Sequence, residues 1–489
     1  MGAVKVADTV LAAYGTPSHV PATSPIYTDH KCYRLTFDDG TEVVADAGHR
    51  WLTDTVASRQ STARAQRRGR GGPQARSQAH KRIHPSVKTT EEIARTLRHK
   101  GVRTNHSIDV QPGLRLPPKP LPIDPYVLGA WLGDGSSYGG SISTDPEDKE
   151  ILDQIRAVGH KLTRWKHGIQ WGISGLHTAL VSLDLLGNKH IPALYLRASH
   201  GQRLALLQGL MDTDGSAVKT GGQVSFCTTS PRLAEGFYEL AVSLGFKLTA
   251  RQSDATLNGR VVGQRWRFKW TPRKDTPVFR LTRKQDRLTS APTARRGVHT
   301  RRFIIDCTPL AEPVPVQCIC VDHPTHLFLA SSSMIPTHNS DWLLMEALRY
   351  VEQPGYNAIL FRQTLADLKL PGALLDRANQ WLRGTKAKYN GSDYRWTFPS
   401  GATLTFGYLR NDQDCTRYKS AEFQFVGFDE LTKFSEFQYR YMFSRLRRNK
   451  GVRIPLRVRG ASNPGDRGHC VPYGEVLTPD KGWVSIAQC

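Results

Sequence analysis

Two stretches of one pattern, Tyr126-Val127-Leu128-Gly129-Ala130-Trp131-Leu132-Gly133-Asp134-Gly135 and Leu206-Leu207-Gln208-Gly209-Leu210-Met211-Asp212-Thr213-Asp214-Gly215, lie about eighty residues apart. Each reads as an apolar helix with a glycine near its middle, an acid at its end and a glycine to stop it. Gly129 and Gly209 carry no side chain, so the two helices can pack at close range and bring both terminal carboxylates to one point. An acid at a helix C-terminus opposes the helix dipole. Two acids in matching places therefore predict a cation between them. Mg²⁺ held by Asp134 and Asp214 would relieve their repulsion, activate a water and stabilise the leaving oxygen of a phosphodiester. The plainer alternative is a pair of buried, glycine-stopped helices with incidental acids.

The paired segments resemble the two motifs of single-chain LAGLIDADG (DOD-type) homing endonucleases. That resemblance implies an α+β nuclease that cuts double-stranded DNA at a specific site, with Asp134 and Asp214 in the metal-binding positions. Val224–Ser230, a helix over Pro231–Leu244 stopped by Gly245, and a basic strand ending in Phe279-Arg280-Leu281-Thr282-Arg283-Lys284 fit the same family. Lys284 would be its active-site lysine. Strands between Trp165 and Leu183 and between Arg251 and Leu281 would form the DNA saddle. Arg260, Arg265, Arg267, Lys269 and Arg273 would face the duplex. A degenerate nuclease that no longer cuts is the competing form of this reading.

Further along stands Met334-Ile335-Pro336-Thr337-His338-Asn339-Ser340, a built-in site of chain cleavage. The Asn339 amide nitrogen can attack its own carbonyl, closing a succinimide and expelling the next residue, if a neighbour protonates the leaving amine. His338 is placed to do so. The Ser340 hydroxyl can accept an acyl group first. With Val316-Gln317-Cys318-Ile319-Cys320-Val321-Asp322 and His326-Leu327-Phe328-Leu329-Ala330 upstream, the stretch resembles the C-terminal splicing blocks of inteins. By that resemblance His326 supports cyclisation, Cys318 takes the position of a catalytic Asp or Cys, and Ser340 opens the flanking protein.

Val43–Leu52 resembles the second splicing block, in which a histidine, here His49, polarises the first scissile bond. The family's usual threonine is replaced by Asp46. Strands are predicted over Val4–Leu11, Cys32–Phe37 and Glu42–Ala45, with Asp38-Asp39-Gly40-Thr41 as a hairpin turn. The family's first nucleophile is expected upstream of Met1.

The 489 residues suffice for about three domains. Lys and Arg number 67 against 43 Asp and Glu, a net charge of +24 that favours a polyanion such as DNA. The basic block from Arg59 to Arg103 reads, up to about His84, as a flexible loop that contacts phosphates or as a solvated linker; a short helix over Thr90–Leu97 follows. Eight cysteines without paired metal-ligand spacing fit a reducing compartment, here the cytoplasm of a phage-infected or lysogenic bacterial host. No apolar run approaches membrane-spanning length, so no membrane partner is expected.

After Ser340 the pattern becomes α/β, with a helix over Asp341–Val351, a strand over Ala358–Phe361, a helix over Thr364–Leu382 broken near Pro371, and a hairpin over Tyr394–Tyr408. Phe423-Gln424-Phe425-Val426-Gly427-Phe428-Asp429-Glu430 has the Walker B pattern, with Asp429 on the nucleotide's Mg²⁺ and Glu430 orienting the attacking water. Gly460–His469 resembles the coupling motif of phage terminase large subunits. The phosphate loop of such an ATPase should precede the first helix, so Ser340 would be its hydroxyl once ligation restores the loop. ATP and Mg²⁺ would then bind the ligated product. Cys470–Ile486 resembles the opening block of a second intein, with Cys470 as its first nucleophile.

The expected architecture is multidomain. Residues 1–115 and 301–339 form an all-β splicing (Hint-like) domain, interrupted by a LAGLIDADG endonuclease over 116–300. A partial P-loop ATPase over 340–469 and a second opening block over 470–489 follow. The expected function is protein splicing in trans with separate polypeptides, together with homing cleavage of DNA. The alternative is a DNA-packaging ATPase fragment carrying an inactive intein from a broken gene.

Overall fold

The computed structural model describes residues 4–13, 15–20, 23–24, 26–68, 85–165, 168–218, 222–257, 259–273, 276–289, 299–319, 321–323, 327–338, 342–369, 373–448, 454–462 and 484–488. Strand Cys32–Phe37 buries Cys32, Tyr33, Leu35 and Phe37 and pairs antiparallel with Glu42–Asp46, the turn between them closing through Gly40 at φ +87°. The other edge of Cys32–Phe37 takes Arg301–Pro309, which also pairs with Ser107–Asp109. A four-stranded antiparallel sheet is thus assembled from both ends of a long insertion. Leu327–Ala330 and Ile335–His338 form a hairpin, and single bridges join Ala12 to Phe328, Thr23 to Ile319 and Tyr27 to Val316. Tyr33, Leu35, Phe37, Trp51, Ile304 and Ile335 share one core, so the two sequence-distant parts fold as one all-β unit.

The insertion is α+β. Helices Pro125–Asp134 and His200–Asp214 cross where Gly129 and Gly209 meet; a Cβ at Gly129 would lie 2.2 Å from the Leu206 carbonyl oxygen, and one at Gly209 2.3 Å from that of Tyr126. Asp124 caps the first helix through Tyr126 and Val127, and Ser199 with Gln202 forms a capping box on the second. Each helix runs into a sheet. The first is Ser141–Ser143, Gln170–Ile173 and Leu162–Arg164; the second is Gly215–Ala217, Val224–Thr228, Arg260–Trp270 and Thr249–Leu257 in that spatial order.

The third unit is built on a seven-stranded sheet. Thr403–Tyr408, Asn357–Arg362, Phe425–Asp429, Arg457–Ser462 and Val484–Gln488 run parallel, and the strands Lys388–Asn390 and Arg395–Thr397 add an antiparallel edge. Phe425–Asp429 is buried along its whole length, as a central parallel strand should be. Val484–Gln488, grouped by sequence with a second opening block, here lies at the edge of this sheet.

Several expectations need correction. The first strand covers only Thr9–Leu11. Val56–Arg68 is helical although it has no apolar face. It is docked instead by Arg59, whose guanidinium donates to the carbonyls of Asp54, Thr104 and Asn105 and to the Ser107 hydroxyl. Residues 69–84 lie outside the described residues. Part of the Trp165–Leu183 region is a helix, Leu176–Ser182, started by Gly175 at φ +75°. The basic strand expected to end at Lys284 is replaced by a helix, Thr282–Thr289, that contains it.

Candidate functional sites: a splicing centre and a paired-helix carboxylate site

In the all-β unit, a cavity of about 540 Å³ is lined by His30, Asp46, Gly48, His49, Cys318 and Thr337 among others. His49 stands at the start of the Arg50–Thr53 strand, edge-on to Trp51 with ring centroids 4.8 Å apart, and its Nε2 hydrogen-bonds the Thr337 hydroxyl. Thr337 precedes His338 on the strand that leads into the cleavage stretch. Burial is the main cause lowering His49 to about 4; Asp46 opposes the shift and Arg377 reinforces it. The imidazole is thus neutral at physiological pH, free to act as a base or a polarising donor. Asp46 orders the turn leading to it. Its carboxylate accepts from the Gly48 N–H at 2.7 Å and pairs with His30 Nδ1 at 2.8 Å.

Cys318 shares the cavity, with its N–H donating to the Ser24 hydroxyl at 3.0 Å. His338 is placed by its backbone, paired with Leu327 at the end of the hairpin, while its side chain lies outside the description. His326, Asn339, Ser340 and Cys470 also lie outside the described residues.

In the inserted unit, Asp134 and Asp214 end the two paired helices side by side. A Cβ at Gly133 would sit 2.1 Å from Thr213 Oγ1 and 3.4 Å from Asp214 Oδ2. Both residues are exposed, yet the protein around them raises both carboxyls above the ordinary carboxylate range. Crowding by surrounding protein, and then the facing Asp134, push the Asp214 carboxyl up to about 6; solvent access tempers that shift. No hydrogen bond from a described residue reaches either carboxylate. Two unsatisfied, mutually repelling carboxylates at an open site fit a hydrated divalent cation. Among the described residues no cluster of three or more metal-ligating side chains occurs, so water or phosphate oxygens would complete the shell.

Two lysines offset the dipoles of the acid-tipped helices. Lys284 Nζ donates to the carbonyls of Met211, Asp212, Thr213 and Gly215 at 2.6–3.1 Å. Lys189 Nζ donates to those of Gly133 and Gly135 at 3.1 and 2.7 Å. Burial lowers both lysines, against the pull of the nearby acids. Each is therefore a helix cap that places a positive charge beside the carboxylates. Asp212 faces the other way, buried and accepting from the Tyr126 hydroxyl and the N–H groups of Arg280 and Leu281.

On the sheet below, Arg251, Arg265, Arg267 and Lys269 line an open trough of about 660 Å³ with Gln223, Thr249, Gln252 and Ser253. In the third unit, Asp429 ends its strand in an ion pair with Arg362 at 2.7 Å, and Glu430, at φ +59°, pairs with Arg362 and Lys433.

The description "LAGLIDADG-like domain" matches residues 201–269, and "Terminase large subunit, T4likevirus-type, N-terminal" matches residues 341–470. A replicative DNA helicase DnaB of Mycobacterium intracellulare is 41% identical over 344 residues, covering 69% of this chain and 55% of that protein. The chain thus spans about half the length of that curated relative. An iron-sulfur cluster assembly SufBD family protein of Mycobacterium leprae is 29% identical over 164 residues, 29% of this chain and 19% of that protein. Among solved structures, the MchDnaB-1 intein aligns at 14% identity over 69% of this chain and 87% of its own, with a TM-score of 0.20, too low to bear on the fold. The chain thus carries a LAGLIDADG-like segment and a terminase-type N-terminal segment, and over about two thirds of its length it is similar to a mycobacterial DnaB protein.

Of the residues singled out from the sequence, His49 and Cys318 line one cavity, and Asp134, Asp214 and Lys284 lie together at the ends of the paired helices. Sequence reading missed Lys189, which stands to the first helix as Lys284 does to the second. The repeat was the available signal, since a cap on one acid-tipped helix calls for one on its twin. Arg265, Arg267 and Lys269 do share the trough, but Arg260 lies at the far end of its hairpin, opposite Leu257, and Arg273 lies beyond the strand. Arg377, at the wall of the splicing cavity, was also missed, because it belongs to the segment after Ser340.

Proposed function

We propose that this chain splices protein in trans and cuts double-stranded DNA at a homing site. The observation that carries this reading is the strand Arg301–Pro309 lying between Cys32–Phe37 and Ser107–Asp109. Such pairing holds both ends of the nuclease insertion on one sheet, so the splicing centre closes whether or not the nuclease acts. His49, held neutral by burial, faces the strand that carries Thr337 and His338 into the cleavage stretch. Asn339 would close on its own carbonyl carbon, and the departing nitrogen of Ser340 would take a proton from His338. Ser340 would first accept the acyl group of an upstream segment. Cys32 is unsuited to supply that acyl group, because it is 1% exposed and its thiol is directed at the His30 carbonyl. A separate polypeptide with its own opening nucleophile is the proposed donor.

Asp134 and Asp214 would hold Mg²⁺, which would supply Lewis acidity at the scissile phosphate. Lys189 and Lys284 add positive charge where the leaving oxygen develops negative charge. In the third unit, Asp429 would bind the Mg²⁺ of ATP and Glu430 would orient water after ligation, once Arg362 releases them; Ser340 would complete the phosphate loop. The cytoplasm of a phage-carrying bacterium is the proposed location, and among the described residues no helix is long and apolar enough to cross a membrane.

The test is to add an upstream peptide ending in an intein opening block. Mass spectrometry should find the upstream segment joined to Ser340-Asp341-Trp342, with the chain up to Asn339 released. Asn339→Ala should stall the mixture at a branched ester, and Ser340→Ala should abolish ligation while leaving Asn339 cleavage. Binding of the two pieces without ligated product would refute splicing in trans.

A further inference from the structure

The helix Leu374–Leu382 belongs to the terminase-like segment, and Leu374, Leu375, Ala378 and Leu382 fasten it to that segment's own core. Arg377 and Trp381, one turn apart on another face, line the splicing cavity. The Arg377 guanidinium donates to the Gly48 carbonyl at 3.1 Å. The guanidinium lies close against this turn: a Cβ at Gly48 would stand 2.6 Å from Arg377 Nη2 and 3.1 Å from Asp46 Oδ1. Cys318, which also lines the cavity, packs against the same downstream core.

We propose that Arg377 is a positioning residue of the splicing centre: it fixes the turn at Gly48 so that the next residue, His49, meets Thr337 on the strand leading to Asn339. The inference rests on the splicing reading above. Its consequence is an ordered sequence of events, in which the centre is complete only after the segment to be ligated has folded its Leu374–Leu382 helix. The charges facing His49 come from Asp46 at the end of Glu42–Asp46, which favours the imidazolium, and from Arg377, which disfavours it. His30, paired with Asp46, and Tyr27 and Cys318 share the cavity. Arg377 thus acts on His49 in two ways, through geometry at Gly48 and through charge.

The experiment uses the full chain and follows cleavage between Asn339 and Ser340 by mass spectrometry from pH 4 to pH 9. It is paired with NMR titration of the His49 imidazole in an Asn339→Ala background. Arg377→Ala should slow cleavage on the order of tenfold, the weight of one charged hydrogen bond, and should raise the His49 midpoint. Arg377→Lys keeps the charge and should hold the midpoint low, which separates the effect from loss of folding. Arg383→Ala, exposed at the end of the same helix, should change neither. A wild-type chain that cleaves, with Arg377→Ala matching it in both rate and midpoint, overturns the inference and leaves the splicing reading intact. A wild-type chain that never cleaves at Asn339, even with the upstream opening-block peptide bound, overturns both.

Discussion

Asp134 and Asp214 are chemically the same group at twin positions, and their surroundings are what couple them. Each is raised first by the protein crowded around it, and Asp214 then by its partner. With its midpoint about 6, Asp214 holds a proton on the acid side of that value and loses it above, so a proton and a divalent cation compete for the site. Mg²⁺ affinity should therefore weaken steeply as pH falls below about 6, as calorimetric titration at pH 5 and pH 7.5 would record. Asp134→Asn removes the facing charge and should lower the Asp214 midpoint toward the ordinary carboxylate range, visible in the carboxyl carbon shift. An Asp214 midpoint indifferent to that change would mean that the two carboxylates do not share a site.

At the level of elements, the crossing of Pro125–Asp134 with His200–Asp214 depends on two missing side chains. Gly129→Ala or Gly209→Ala would drive a methyl group to within 2.2 or 2.3 Å of a backbone oxygen on the other helix. Backbone cannot swing aside as a side chain can. Each change should lower stability by about 1–3 kcal/mol or more, lowering Tm and releasing the carboxylates from each other, measurable as a lower Asp214 midpoint. This crossing was legible in the sequence because it needs glycine in a fixed place and repeats. Cys32–Phe37 and its turn were legible for a similar reason, as alternating burial with a Gly at positive φ leaves a local record. Val56–Arg68 was not, since hydrogen bonds from Arg59 to distant carbonyls take the place of an apolar stripe. Lys284 was placed on a strand, because Phe279-Arg280-Leu281-Thr282 just before it alternates apolar and polar, and the helix begins only at Thr282.

On the scale of the whole molecule, sequence motifs propose an order of units and carry no record of their contacts. A resemblance to splicing blocks is local, whereas the Arg301–Pro309 pairing and the reach of Arg377 into the cavity join residues far apart in the chain, and no local pattern encodes such meetings. Charge is the opposite case, since +24 was plain from composition while its focus needed the fold. Strand alternation sends Phe268 and Trp270 into the core and leaves Arg265, Arg267 and Lys269 on the open face, beside Arg251 on the neighbouring strand. A face of this kind binds phosphates by releasing counterions, so DNA affinity should fall steeply with salt. Arg265→Ala and Arg267→Ala should each weaken binding across all sequences and reduce the logarithmic salt slope by about 1. Asp134→Asn and Asp214→Asn, which do not line the trough, should leave that slope in place while abolishing Mg²⁺-dependent cutting of a duplex spanning the uninterrupted phosphate-loop coding sequence. Fluorescence anisotropy across a salt series, run beside a cleavage assay, separates the two effects. A slope unmoved by the arginine changes would take DNA off this face, and cutting that survives both aspartate changes would take the chemistry away from the paired helices.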